Sequence, residues 1–325
     1  MISENIAPMI SEIIAPMFSE IIQRRKQTTK MSLFYTHPIK QSTYLCEQMN
    51  KFKAIQPSAP LAPYVKQYWF VTIEDVTLTS QRLVPFGCTA LSFHKGDRTY
   101  SSLENDYLPQ SHLHGITTNY TNLSFSGLID FICIIFQPAG AKAFFKIPLN
   151  EFNDTPIPLD ILGDSELFEL AQQLNETGND SACTQLIEHF LYQRISQLNK
   201  YNNIRMNAAI DMIYKGQTDV NHLAETVCLS YKQFKRIFLE SIGINPKDFS
   251  QIIRFQKVHH LFQLHIDMTL NKLADECGYY DKSHLIKEMK EFSGLTPAEL
   301  LEACDPTYSA YHGLFRSAFI NLPPE

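Results

Sequence analysis

The sequence predicts an α+β protein of several domains. A β-rich N-terminal barrel or sandwich with helices precedes an all-α C-terminal domain, in which a long helix joins two helix-turn-helix units. Three observations predict this fold class. Residues 55–160 alternate aromatic and β-branched runs with Gly, Pro and Asn breaks, residues 165–199 are helical in pattern, and two similar helical segments follow about fifty residues apart. The expected segments are therefore a flexible extension (1–50), the β-rich domain with its helical end (51–199), the all-α domain (200–304) and a C-terminal tail (305–325) that is either loose or packed back on the domain.

The first segment contains an eight-residue repeat. ISENIAPM, ISEIIAPM and FSEIIQRR follow one another from Ile2, and the prolines in two copies interrupt any long helix. We interpret residues 1–50 as a low-complexity or flexible extension that is disordered or forms a short, loose helix. Met31 is an alternative translation start.

The β-rich segment contains two groups of residues that invite a functional reading. Trp69 lies between Tyr68 and Phe70 on a predicted strand, so alternation places it on the face opposite to both neighbours. It is either a core residue or a wall of an apolar ligand pocket. The His112-x-His114 pair, together with His94, suggests a metal site of the cupin kind, which combines His-x-His with a nearby Glu. No Glu lies between Glu104 and Glu151. We therefore expect no metal and no cofactor, because the two imidazoles of a His-x-His pair alone rarely hold a catalytic metal.

Composition excludes several classes of protein. The 325 residues are 44% hydrophobic and carry a net charge of −6, so any phosphate-binding charge must be gathered on one face. No apolar run is long enough to span a membrane. The seven cysteines form no CxxC pair, which predicts reduced, buried thiols in the cytoplasm.

The two similar segments begin with LAETVCLSYKQFKRIF at Leu223 and LADECGYYDKSHLIKEM at Leu273. Each has a small Ala, a tight turn, a capping residue (Ser230 or Asp281) and a second apolar-faced helix, and each ends in Gly-x-x-Pro. This is the helix-turn-helix pattern, whose second helix enters the major groove of DNA. The second turn is one residue longer than the first.

Six outward side chains are the candidate DNA contacts. They are hydrogen-bond donors at the start of the two recognition helices: Lys232, Lys235, Arg236, Ser283, His284 and Lys287. A helix of about 20 residues from Pro246 would span roughly 30 Å between them, close to one turn of DNA at ~34 Å. The alternative for these charges is an ordinary solvated face.

From about Ile204 to Glu302 the sequence resembles the DNA-binding domain of AraC/XylS-type transcription regulators. The matching residues are Ala224, Ser230, Arg236, Phe238, Gly243, Pro246 and Arg254 in the first unit and Ala274, Gly278, Tyr279, Ser283, Gly294 and Pro297 in the second. Cys228 stands where the first turn usually has Gly, so that turn avoids a positive φ or is strained. Leu285 replaces the usual aromatic of the second recognition helix.

The resemblance implies a sequence-specific transcription regulator rather than an enzyme. FQPAGAKAFFKIPL, from Phe136, is similar to a sensor-like domain of some AraC relatives, although Ala139 replaces its first Gly. Such a domain binds a small-molecule effector, forms homodimers, or both. The implied partners are double-stranded DNA and RNA polymerase, and activation and repression both remain open. The alternatives are a metal-dependent cupin-like enzyme fused to a DNA-binding domain, and a regulator without an effector.

Overall fold

Two long strands organise the N-terminal part of the chain. The computed structural model describes residues 52–145, 147–195, 200–264, 268–303 and 319–321, so the predicted extension and its repeat lie outside the described residues. The strands are β1 Phe52–Ile55, β2 Val65–Leu83, β3 Ala90–His94, β4 Tyr100–Ser101, β5 Asp106–Tyr107, β6 Ser111–His114, β7 Thr121–Phe136, β8 Pro156–Pro158 and β9 Phe319–Asn321.

These strands form one antiparallel sheet. The order is β1-β2-β7-β3-β6-β8, while β4 pairs with β5 and β7, and β9 pairs with β2. Register shifts between Ile73 and Thr79 break the β2–β7 ladder, and Asp75 there has a φ of 55°. Bulges of this kind bend a sheet, so the predicted β-rich domain is a single bent sheet within the described residues.

Trp69 and its neighbours lie on opposite faces of the sheet, as alternation predicts. Tyr68 and Phe70 are buried under two helices, α1 Ser165–Glu176 and α2 Asp180–Ile195, which supply Leu167, Ile187 and other apolar residues. Trp69 is buried on the other face. There it is paired in register with Cys133 of β7, which in turn faces Ser92 of β3.

The three histidines lie on the same face as Trp69. His94 and His112 stack with ring centroids 5.6 Å apart, and the Nδ1 atoms of His112 and His114 lie 2.9 Å from the carbonyl oxygens of Pro109 and Gly115. Burial lowers the pKa of His112 to about 3 and that of His94 to about 4. These imidazoles are therefore neutral at pH 7.

The C-terminal part is helical and contains both predicted units. Its helices are α3 Lys200–Tyr214, α4 Val220–Thr226, α5 Tyr231–Ile242, α6 Pro246–Leu264, α7 Leu270–Cys277, α8 Lys282–Ser293 and α9 Pro297–Ala303. The predicted linking helix is α6, which begins at Pro246, and its 19 residues span about 28 Å. No helix in the described parts of the chain is long and apolar enough to cross a membrane.

The two turns are built alike. Leu229 N donates to Ala224 O at 3.0 Å, and Tyr279 N donates to Ala274 O at 2.9 Å. Both Ala side chains are buried, which lets the paired helices approach closely. Cys228 and Gly278 occupy equivalent positions, with φ of 55° and 74°. The first turn therefore has a positive φ at a non-Gly residue, so of the two alternatives predicted for Cys228 the strained turn is the one observed.

The helical part and the sheet share a hydrophobic core. All the described residues belong to one compact unit. Val84, which directly follows β2, and Ile116 belong to the same buried cluster as Phe249 and Ile252 of α6. In addition, β9 returns from the C-terminal tail to pair with residues 81–83 of β2. The rest of the predicted tail lies outside the described residues.

Replacing Cys228 by Gly should stabilise the protein. A non-Gly residue with left-handed backbone angles destabilises the folded state by roughly 1–2 kcal/mol. Replacement by Gly removes this strain, but the greater conformational entropy of Gly in the unfolded chain offsets about 0.5–1 kcal/mol of the gain. We expect Cys228→Gly to raise the free energy of unfolding by about 0.5–1 kcal/mol in urea denaturation. Cys228→Ala is the matched control, because it keeps the strained φ. Equal stability of the Gly and Ala variants would show that the positive φ at position 228 is not strained.

The buried histidines should make the N-terminal sheet sensitive to acid. The unfolded chain takes up protons near pH 6.5, whereas folded His112 does so only near pH 3. Stability is therefore full above pH 6.5 and is lost as pH falls towards 4, by an amount on the order of several kcal/mol. His112→Asn, which retains an amide near the Nδ1 position, should reduce the difference in unfolding free energy between pH 7.5 and 5. Exposed His222→Asn is the control, and an unchanged pH dependence in both variants would refute the assignment.

Candidate nucleic-acid interface

The first recognition helix, α5, begins with a complete capping box. Ser230 is the N-cap, and its Oγ accepts from Gln233 N at 3.4 Å. Gln233 Oε1 in turn accepts from Ser230 N at 3.2 Å. The helix ends at Gly243, whose φ of 100° suits Gly and few other residues. The cap predicted from the sequence is thus present, and it fixes where the exposed side chains of α5 begin.

The three predicted contacts on α5 lie together on its exposed face. Lys232, Lys235 and Arg236 are exposed, opposite the fully buried Phe234 and Phe238. Arg236 Nη1 donates to Glu240 Oε1 at 3.1 Å across one turn of the helix. An exposed ion pair of this kind contributes roughly 0–1 kcal/mol, so Arg236 can leave Glu240 at little cost.

The second recognition helix, α8, begins at the predicted cap Asp281. Its carboxylate accepts from His284 N at 2.8 Å. Ser283 and Lys287 are exposed, whereas His284 is half-buried. The His284 ring meets the Tyr279 ring edge-on at 5.2 Å, and its Nε2 lies 3.8 Å from the Glu288 carboxylate. Of the three predicted contacts on α8, His284 is therefore the one turned partly towards the core.

A buried carboxylate joins α8 to the linking helix. Glu288 is buried and accepts from both Nε and Nη2 of Arg254 on α6, with an Nε–Oε1 distance of 3.1 Å. The Tyr279 hydroxyl donates to Glu288 Oε1 at 2.6 Å. Burial and the neighbouring Glu288 charge raise the pKa of Tyr279. Arg254 and Tyr279, which carried the family resemblance, thus orient the second recognition helix.

Two exposed tyrosines at the starts of the recognition helices were not among the sequence-based candidates. Tyr280 is 92% exposed, and the equivalent hydrogen bonds of Leu229 and Tyr279 identify it as the extra residue of the longer second turn. Tyr231 is the first residue of α5, and Lys235 Nζ lies 5.4 Å from its ring centroid. The one-residue difference in turn length was the sequence feature that could have identified Tyr280.

The exposed side chains of the interface have the chemistry that suits phosphates and base edges. They carry ammonium, guanidinium, hydroxyl and phenol groups. Among the described residues, no group of three His, Cys, Asp or Glu side chains is placed to hold a metal ion. The three histidines of the sheet face are included in that statement.

Two protein-family models match the chain. Residues 223–303 match a helix-turn-helix domain model, and residues 53–158 match a domain of unknown function, DUF6597. The first match contains all six predicted DNA contacts. The second covers β1 to β8 of the bent sheet and therefore assigns a family, but no activity, to the N-terminal domain.

One curated protein resembles the chain in sequence, and solved structures of another resemble it in shape. An uncharacterized HTH-type transcriptional regulator of Haemophilus influenzae is 29% identical over 161 residues, covering 45% of this chain and about half of that protein, 52%. ToxT from Vibrio cholerae aligns in structure with a TM-score of 0.38 and 11% identity, over 73% of this chain and 97% of ToxT. Unsaturated-fatty-acid-bound ToxT aligns with a TM-score of 0.36 and 10% identity, over 78% and 95%. The likeness in shape is loose.

The sequence motifs, the two capped recognition helices and the helix-turn-helix match agree on one assignment. The DUF6597 match accounts separately for the N-terminal sheet. The chain therefore combines an N-terminal region that matches DUF6597 with a C-terminal helix-turn-helix domain of two units, whose sequence resembles the AraC/XylS type.

Proposed function

We propose that the chain recognises a specific DNA site by placing α5 and α8 in two successive major grooves on one face of the duplex. The observation that carries the proposal is the arrangement of two capped helices, each with exposed donors at its start, about the 19-residue α6. The length of α6, about 28 Å, is near the ~34 Å repeat of DNA.

The two helices differ in what they offer to DNA. In α5, Arg236 has the planar fork that binds a guanine edge, and Lys232 and Lys235 flank it. In α8, the exposed Ser283 and Lys287 suit the DNA backbone, while His284 is held partly inward by Tyr279 and Glu288. We propose that α5 reads sequence. Whether α8 is a second reader or an anchor on the backbone is decided by base-pair substitution in its half of the site.

Other partners follow from the same proposal. Contact with RNA polymerase and homodimer formation stay predictions, and they are tested by transcription in a purified system and by sedimentation at micromolar concentration. We propose no catalytic activity, and metal analysis of the purified chain tests the cupin-like alternative. A chain that holds one equivalent of metal through purification and chelation would favour that alternative.

Arg236 and Glu240 provide a matched pair of variants for the proposal. A DNA site is first obtained by selection from a random library with the full chain. Arg236→Ala should cost about 1–3 kcal/mol on that site and relax specificity at one base pair. Glu240→Gln should leave affinity unchanged or raise it several-fold, because in this variant Arg236 does not have to break an ion pair with Glu240 before it binds DNA. Both effects are measured by fluorescence anisotropy at one salt concentration.

The pattern of loss distinguishes a base contact from a phosphate contact. If Arg236→Ala weakens binding to all sequences equally, Arg236 contacts phosphate and the proposed reading by α5 is wrong. If selection with the wild-type chain enriches no sequence, the proposal of specific recognition fails altogether.

Effector control is the second part of the proposal. A groove of about 930 Å³ lies between the sheet edge and the start of α2, lined by Ile55, Phe70, Asn179, Thr184 and their neighbours. Its lining combines the apolar Ile55 and Phe70 with polar side chains from both the sheet and α2, a mixture found in sites for small organic molecules. The Lys53–Asp180 ion pair, 2.6 Å long, belongs to its lining.

A small molecule that binds in this groove should raise the melting temperature of the full chain. Binding at 100 times Kd would add about 2.7 kcal/mol of stability. Thr184→Trp, which fills the groove, should abolish the response, whereas exposed Thr226→Trp on α4 should not. A ligand that stabilises both variants equally binds elsewhere, and the groove is then not the effector site.

A further inference from the structure

The N-terminal sheet contacts the C-terminal end of the second recognition helix through Arg82. Arg82 Nη1 donates to the Ser293 carbonyl, one of the last in α8, at 2.8 Å. Its Nε donates to Asn122 Oδ1 at 2.9 Å, and its guanidinium lies 4.5 Å from the ring centroid of Tyr120. A cation at a helix C-terminus is favourable, because carbonyls without helical partners concentrate negative charge there.

The first recognition helix is held at the corresponding place. Asn153 Nδ2 donates to the carbonyl of Gly243, the residue that ends α5. A Cβ at Gly243 would lie 2.8 Å from Asn153 Oδ1 and 3.1 Å from Leu149 O. At Gly294, which ends α8, a Cβ would lie 2.7 Å from the Tyr120 ring. Both terminal glycines therefore lie directly against the N-terminal domain.

The linking helix is held between these two contacts. Gln256 on α6 donates to the carbonyl of Pro85, which follows β2. A Cβ at Gly87 would lie 3.3 Å from side-chain atoms of both Ile253 and Phe249 on α6. The N-terminal domain thus touches α5, α6 and α8, and it touches both recognition helices at the ends opposite to their candidate DNA contacts.

We propose that the N-terminal domain sets the separation between the two recognition helices and is therefore part of the DNA-reading unit. Arg82 and Asn153 are the positioning residues: neither lies at the DNA face, and each fixes the far end of one recognition helix. The inference rests on the proposed binding of two successive grooves. It means that the number of base pairs between the two half-sites is determined in part by residues outside the helix-turn-helix domain.

The contact itself is tested without DNA, by amide hydrogen exchange on the full chain. Arg82→Ala should accelerate exchange at least tenfold in the last turn of α8, and Asn153→Ala should do the same in the last turn of α5. Arg98→Ala is the matched control, because the donor bonds of Arg98 within the described residues go to carbonyls of its own domain, Leu108 O at 2.9 Å and Tyr107 O at 2.7 Å. It should change neither turn. Arg82→Lys, which keeps the charge, should restore most of the protection.

The consequence for reading is tested with the DNA selected by the wild-type chain. One or two base pairs are inserted between the half-sites, and affinities are compared with those for DNA that keeps only the α5 half-site. Arg82→Ala should reduce the preference for native spacing at least threefold while binding the single half-site as the wild type does. Arg82→Lys should recover that preference.

Each outcome decides a separate claim. Unchanged exchange in a folded Arg82→Ala chain, or unchanged spacing preference with faster exchange, overturns the inference. A uniform loss of affinity on all DNA would make Arg82 merely structural and overturns it as well. If the wild-type chain selects no DNA, the proposed function fails, and exchange alone then decides whether the domain holds the helices.

Discussion

The buried carboxylate of Glu288 is the constraint on which the second half of the DNA-binding domain depends. A buried charge without partners is very costly, and removal of one partner from such a pair typically costs about 3–5 kcal/mol. Arg254 and Tyr279 supply those partners from α6 and from the turn before α8. The Arg254 guanidinium also stacks on the Tyr279 ring at 4.3 Å. One carboxylate thereby fixes the linking helix, the turn and the second recognition helix relative to one another.

The first unit reaches a fixed position by a different route. Phe234, Phe238 and Phe249 pack ring against ring, with centroids 5.5 and 5.7 Å apart between successive rings. Burial of each aromatic side chain contributes roughly 2–3 kcal/mol, and the pairing of rings adds to it. The first unit is therefore positioned by apolar packing on α6, and the second by a polar cluster on the same helix. This difference agrees with the exposed cations of α5 and the partly inward His284 of α8.

The sequence predicted the features that are local. Ser230 and Asp281 are caps because their oxygens reach the next turn of their own helices, and Pro246 begins α6 because a proline fits the first turn of a helix. The placement of Trp69 on the sheet face opposite to Tyr68 and Phe70 follows from the two-residue period of a strand. The choice at Cys228 between a negative φ and a strained positive φ follows from the preference of glycine for positive φ. The six candidate DNA contacts stay predictions, although five of them are exposed and one is half-buried.

The sequence did not predict the features that depend on distant partners. Arg82 and Ser293 are 211 residues apart, and Asn153 and Gly243 are 90 apart, so no periodic pattern connects either pair. The return of β9 to β2 was also open, because a three-residue strand has almost no pattern of its own. Gly243 and Gly294 could be identified as helix ends, but not as places where another domain approaches too closely for a side chain.

On the proposed function, one chain presents two recognition helices to successive major grooves on the same face of DNA. Hydroxyl-radical footprinting of the full chain on its selected site tests it most directly. Binding in two successive grooves should give two protected patches on one face, with centres roughly 10 base pairs apart. Lys287→Ala should weaken only the patch assigned to α8. A single patch, or two patches on opposite faces of the duplex, would show that α5 and α8 do not bind successive grooves on one face.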